Sequence, residues 1–332
     1  MSDQITIALD AMGGDNAPQI VVAGANIARR RHPDVKFLLF GDEAKIAPLV
    51  SKQRGLSEFV KIRHASEKVQ PEDKPSQIVR RGHETSMWKS IEAVKSGDAD
   101  GIVSAGNTGA LLAMAMIVLR RFEGIDRPAI ASFFPTLRGE TVMLDLGANI
   151  QCDARNLVEF AIMGEVFART ILGINDPTIG LLNVGEEETK GNDALRDAAN
   201  LLRGLDLPGE FVGFVEGDDI PSGAVDVVVT DGFTGNVALK TAEGTIKMVG
   251  FYLRQALMSS LLSRIGAILA SFALKKLKFR FNPSRYNGAM FLGLNGICVK
   301  SHGGTDAYGF SHAIKVAVEM ISDGLNDAIK ED

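Results

Sequence analysis

Cysteine is nearly missing from this 332-residue chain: Cys152 and Cys298 are too few for a disulfide framework or a Cys/His zinc pattern. A basic surplus is missing too, since 36 Lys and Arg against 41 Asp and Glu leave a formal net charge of -5. General nucleic-acid binders carry the opposite balance to meet phosphates, so no nucleic-acid partner is expected and any basic surface is local. The opening "MSDQITIALD" lacks a basic segment followed by a long apolar one, which sets the expectation of a reduced, cytoplasmic setting. Three fingerprints are also absent. No G-x-G-x-x-G follows the first apolar run and no G-x-x-x-x-G-K-[ST] occurs, leaving a Rossmann dinucleotide site and a P-loop unsupported. No G-x-S-x-G elbow is present either; Cys298 lies inside an apolar run and Cys152 follows "GANIQ" into a helix, each expected as a buried small hydrophobe, so a covalent protein nucleophile has no good candidate.

What the chain does have is apolar residues, 45% of the total, enough for one large core or two smaller ones. Runs such as "ITIALDA", "KFLLFG", "GIVSAG", "TVMLDLG", "TIGLLNVG", "FVGFVEG", "VDVVVTDG" and "GICVKSHG" are apolar on both faces, as buried parallel strands are. Stretches with helical spacing, including 19–32, 84–96 and 155–173, lie between them. That alternation predicts an open, mainly parallel α/β sheet. With no Pro/Ser-rich linker and no repeat, residues 1–332 read as a single two-lobed unit.

Five junctions share the order strand, Gly-rich loop, helix start: "ALDAMGGDNAP", "IVSAGNTGALLAMA", "LLNVGEEETKGND", "VVVTDGFTGNVALK" and "CVKSHGGTDAYGFSHAI". In an open parallel sheet the carboxyl ends of the strands share one edge, so the five loops are expected to face one site. Glycines let backbone N-H groups approach an anion, and the following helix adds its positive end. Gly13 and Gly14 are thus expected to leave room for a phosphate-like group, with Asp10, Asp15 and Asn16 orienting their loop. Ser104, Gly106 and Gly109 belong to the second loop, where Asn107 and Thr108 offer donors at a helix start. Asn183 and Glu186 stand in the third, Gly232, Phe233, Thr234 and Gly235 in the fourth, and His302 and Gly303 in the fifth. Asp231 ends a strand. Asn236 begins a helix, where an asparagine is often a cap. No metal-ligand spacing is diagnostic, and no cofactor is called for.

Taken in order, "DAMGGDNAP", "SAGNTGA", "LDLGAN", "NVGEEETKG", "DGFTGNVALKT" and "YNGA...LG" followed by "KSHG" resemble the phosphate acyltransferase (PlsX) family across essentially the whole chain. Gln151 after "GAN" and "GHETSMW" at 82–88 depart from the family pattern. The resemblance implies transfer of a fatty acyl group from an acyl carrier protein thioester to inorganic phosphate for phospholipid synthesis. It further implies a homodimer and a three-layer α/β/α fold similar to phosphotransacetylases and isocitrate/isopropylmalate dehydrogenases. Lys190, Asn236 and Asp231 are the catalytic residues it points to: Lys190 as a cation for phosphate or the developing oxyanion, Asn236 as a donor to the thioester oxygen. His302 reads equally as an acid to the departing thiol and as a positioning residue. A phosphotransacetylase-like enzyme acting on acyl-CoA, and a non-catalytic acyl-phosphate carrier, stay open as alternatives.

Residues 252–281, "YLRQALMSSLLSRIGAILASFALKKLKFRF", stand apart. Leu257, Leu261, Leu262, Ile265, Ile268, Leu269 and Phe272 recur at helical spacing with Arg264 and serines interleaved, and a basic end follows at Lys275, Lys276, Lys278 and Arg280. An amphipathic helix or hairpin lying on an anionic membrane surface fits this pattern. A helix pair at a dimer interface fits it nearly as well, and both uses are compatible. The expected placement is cytoplasmic and peripheral, on the inner membrane face, as in the family.

Overall fold

A computed structural model of the chain describes residues 4–331; residues 1–3 and 332, the outermost positions of the unit read from sequence, lie outside the described residues. Its strands are β1 (Thr6–Asp10), β2 (Lys36–Gly41), β3 (Val60–His64), β4 (Gly101–Ser104), β5 (Ala129–Pro135) and β6 (Glu140–Leu144). They continue as β7 (Thr178–Leu182), β8 (Glu210–Val215), β9 (Val227–Val229), β10 (Ala289–Leu292) and β11 (Ile297–Lys300). All eleven join one sheet in the order β3-β2-β1-β4-β11-β10-β5-β6-β9-β7-β8.

The apolar runs form strands because both sheet faces are covered. In β1, Ile7 and Leu9 enter one core with the helices Gln19–Arg31, Ala154–Leu172 and Ala307–Ser322, while Ala8 enters a second core with Ser86–Lys95 and Thr108–Val118. Side chains alternate across a strand, so two apolar faces require an unbroken apolar run. The result is the expected three-layer α/β/α arrangement.

Three strands escaped the sequence reading. Edge strand β3, "VKIRH", is half polar, whereas β5, "AIASFFP", and β10, "AMFL", are apolar but are not followed by a Gly-rich loop that opens a helix. They correct the picture of one shared edge. β10 pairs antiparallel with both β11 and β5, and β5 pairs antiparallel with β6. The parallel block β3-β2-β1-β4-β11 therefore runs opposite to the block β6-β9-β7-β8, and the Gly-rich loops divide between two lobes. Strand-to-strand twist of roughly 20–25° accumulates across such a sheet, and the antiparallel seam β10-β5 lies at its middle.

Candidate active site

In the first lobe the loops after β1, β4 and β11 pack on one another. Asp10, 1% exposed, accepts Ser86 Oγ at 2.6 Å and Ser104 Oγ at 2.7 Å. Burial pushes its carboxyl above the usual range against these donors. Asp15 N donates to Gly303 O at 3.0 Å. A Cβ on Gly13 would sit 2.4 Å from Asp10 Oδ2 and 2.8 Å from Gly106 N, and Gly14 has φ +97. At their Cβ positions these glycines make room for neighbouring protein. Asp10 and Ser104 form a buried tie between loops. Asn107 caps the helix Thr108–Val118, its Oδ1 accepting from Ala110 N at 3.0 Å; a Cβ on Gly109 would press on Pro75.

The second lobe is tied in the same way. Asp145, fully buried after β6, accepts from the N-H groups of Ile130 (2.9 Å), Gly147 (3.1 Å), Ala148 (3.0 Å) and Asn149 (2.7 Å). A Cβ on Gly232 would lie 2.7 Å from Asp145 Oδ2, and one on Gly235 would lie 2.0 Å from Asp145 O. The start of the long helix Gly232–Met258 is thus pressed into the loop that follows β6. Asp231 caps this helix, accepting from Thr234 N at 2.9 Å and Thr234 Oγ1 at 2.8 Å. Asn236 is therefore not the cap, the structural alternative for it: the cap lies five residues earlier, and Asn236 is exposed beside Gly147.

Between the lobes a cleft of about 540 Å³ lies over the seam, within the usual size of a small-molecule site. Its floor is β5 and the start of β10; Thr108 stands on one side and Asn236 to Lys247 of the long helix on the other. Ile130, Phe133, Phe134, Leu239, Ile246 and Phe281 make much of the lining apolar, while Thr108, Asn236, Lys240, Lys247, Lys300 and His302 supply polar groups. Of the site residues read from sequence, Thr108, Asn236 and His302 line it. Asn16, exposed Phe233 and Gly303 do not.

Asn183, Glu186 and Lys190 also lie outside the lining. They belong to the loop after β7, in the block that contains β9. Lys190 is exposed and its N-H donates to Glu187 O at 2.9 Å. Gly191, with φ +82, leaves room for Asn183 Oδ1, which a Cβ there would approach to 2.5 Å.

Two cleft residues had no role assigned from sequence. Lys300 ends β11, mostly buried, with Nζ donating to the backbone oxygen of Ser301. Burial pushes its ammonium down to about 8, with Asp10 and Asp15 acting in the opposite sense. Asn287 Nδ2 is shared among Ser301 Oγ (2.8 Å), Gly309 O (2.8 Å) and Thr305 Oγ1 (3.3 Å), and its Oδ1 accepts His302 N at 2.8 Å. One side chain thereby holds the whole turn after β11. A lysine closing an otherwise apolar strand, "ICVK", was the available signal for Lys300. His302 Nδ1 accepts Gly304 N at 3.1 Å, which leaves the ring proton on Nε2. Burial, then Lys240 and Lys300, hold its pKa below the ordinary value. Both thiols are pushed up by burial, Cys152 to about 12, so neither is poised as a thiolate nucleophile.

A family model described as "Fatty acid synthesis protein" matches residues 5–328. A phosphate acyltransferase of Rhodospirillum rubrum is 60% identical over 332 residues, covering 100% of this chain and 95% of that relative. One from Parvibaculum lavamentivorans is 56% identical over 333 residues, covering 100% and 92%. Among solved structures, a phosphotransacetylase from Streptococcus pyogenes superposes with TM-score 0.64 at 17% identity, covering 97% of this chain and 95% of that one. The EutD phosphotransacetylase from Staphylococcus aureus gives 0.60 at 16%, covering 98% and 94%; at such identities the likeness concerns the fold. With the family model spanning nearly the whole chain and relatives this similar over its full length, the chain belongs to the phosphate acyltransferase (PlsX) family.

Proposed function

We propose that the cleft transfers a fatty acyl group from the thioester of acyl carrier protein to inorganic phosphate, releasing an acyl phosphate. The observation that carries this reading is one cleft whose lining combines cationic and amide groups with large apolar side chains. A phosphate oxygen bonds to the thioester carbon, the C–S bond breaks, and the proton of hydrogen phosphate leaves with the thiol. The protein's task is to place the two reactants and stabilise charge on the carbonyl oxygen. Asn236 fits the second role: it stands at the cleft, and its amide has no hydrogen bond among the described residues. Neutral His302, in the cleft lining with its proton on Nε2, is suited to hydrogen-bond and position a reactant there. Lys190 enters through the resemblance alone, on a loop of the same lobe as Asn236. Comparing palmitoyl acyl carrier protein with acetyl-CoA tests the donor. Faster phosphate-dependent thiol release from the first supports the reading, and preference for the second overturns it in favour of short-chain acyl-CoA transfer. Stoichiometric binding without turnover of either marks a carrier.

The same reading places the protein on the inner membrane face as a homodimer. Residues 252–281 form the end of the long helix, then Leu261–Leu269 and Ser271–Arg280. No helix among the described residues is long and apolar enough to cross a membrane. Leu261, Leu262, Ile268, Leu269 and Phe272 are each more than 70% exposed, Ile265 49%, and Leu257 is half-buried. Such a contiguous apolar patch calls for a cover. Arg264 and the lysines before Arg280 suit anionic lipid headgroups, while Met248, Val249, Phe251 and Tyr252, exposed further back on the long helix, suit a second copy. Leu261→Glu with Ile265→Glu is expected to abolish flotation with anionic liposomes and leave turnover of a soluble donor near normal. Undiminished flotation of that double variant rejects insertion.

A further inference from the structure

We propose that Lys300, in the cleft lining, is the residue that holds the inorganic phosphate, its ammonium facing the dianion. This assignment rests on the phosphate-acceptor reading and adds to it the group that binds the acceptor. Lys300 lies at the last position of β11, in register with Ala289 of β10 and Ser104 of β4, so the sheet fixes its stem on the cleft floor. An ammonium has three protons to donate. Here one acceptor, the Ser301 carbonyl, is met, and no carboxylate lies within ion-pair distance of Nζ among the described residues. The nearby acids do not satisfy it. Asp10 is occupied by Ser86, Ser104 and the Met12 N-H, and Asp15 is exposed on its loop beside Gly303 and Gly304.

A mostly buried cation without a counter-ion costs folding free energy unless something else meets its charge. The depression of its pKa toward 8 is the sign of that cost. Around it the cleft offers no compensating negative group of comparable burial. Glu243, the lone acid in the lining, is ion-paired with Lys240 at 2.9 Å, while Lys247 adds positive charge from the long helix and Thr108 contributes a hydroxyl at the positive end of its helix. A compact dianion with several acceptor oxygens answers all of these groups together. The apolar side chains of the lining offer nothing to an anion and suit the acyl chain, which leaves Lys300 for the phosphate.

Calorimetric titration of inorganic phosphate into the full chain, without any acyl donor, tests this. Lys300→Met keeps the aliphatic stem and removes the charge; its phosphate affinity is expected to fall about 10-fold to 100-fold, in line with losing a charge-assisted hydrogen bond. The KM for phosphate rises in parallel and the KM for the donor stays unchanged. In the wild type, phosphate is expected to slow acylation of Lys300 by an amine-reactive probe, followed by peptide mass spectrometry, so the test survives a variant that fails to fold. Unchanged phosphate affinity in a folded Lys300→Met, no phosphate binding by the wild type, or no protection of Lys300 overturns the assignment. If phosphate binds through Lys300 and no acyl group is transferred, the acyltransferase reading fails and the binding assignment stands.

Discussion

Asn236→Ala is expected to lower turnover about 100-fold to 1000-fold, the usual loss when one preorganised donor to a developing oxyanion is removed. The fold should not change. Asn236 is exposed, its side chain holds no cap, and the helix keeps its Asp231 cap and its glycine contacts. Melting behaviour within about 0.5 kcal/mol of wild type is therefore expected, as for surface substitutions away from such features. The loss should appear in kcat with little change in KM, because the amide acts mainly where charge develops. Steady-state kinetics with saturating phosphate measure it, and near-normal kcat removes Asn236 from the chemistry.

Gly235→Ala is expected to damage stability most. Its new Cβ would lie 2.0 Å from the backbone oxygen of Asp145 and 2.9 Å from Thr230 Cγ2, and no side-chain rotation relieves a clash with backbone. To fit, the start of the long helix must part from the loop after β6, where Asp145 gathers its N-H donors. A destabilisation of about 3 kcal/mol or more follows, together with loss of activity, since the same movement displaces Asn236. Gly266→Ala is the matched comparison. Nothing lies within 4 Å of its Cβ position, so in the exposed helix Leu261–Leu269 the substitution is expected to gain about 0.5–1 kcal/mol. Thermal unfolding of both variants checks the pair, and equal melting temperatures contradict the packing account.

The parallel strands were readable because residues buried on both faces must be apolar without interruption, as Ile7, Ala8 and Leu9 are. β3 was not, since an edge strand may expose Lys61 and Arg63. β5 and β10 were invisible for a different reason: their importance lies in direction, and direction is set by pairing between segments about 160 residues apart, such as Met290 with Ala131. Missing them merged two lobes into one edge. Glycine was ambiguous for a physical reason too. A residue without Cβ admits a phosphate or a neighbouring loop equally well, and at Gly13, Gly232 and Gly235 the neighbour is protein. At Asn236 a cap stayed open as the structural alternative, because spacing alone does not reveal that Asp231 already fills that role. Lys300 escaped because burial of a charge shows itself only once the strands around it are in place.

The measurement that bears most directly on the central claim is paired product analysis with palmitoyl acyl carrier protein, with phosphate present and omitted. Free thiol and hydroxylamine-trapped acyl group are counted in the same reaction. The account predicts thiol release that requires phosphate, with about one hydroxamate formed for each thiol when trapping is complete. Thiol release that proceeds equally without phosphate, or that yields free fatty acid in place of hydroxamate, would contradict it.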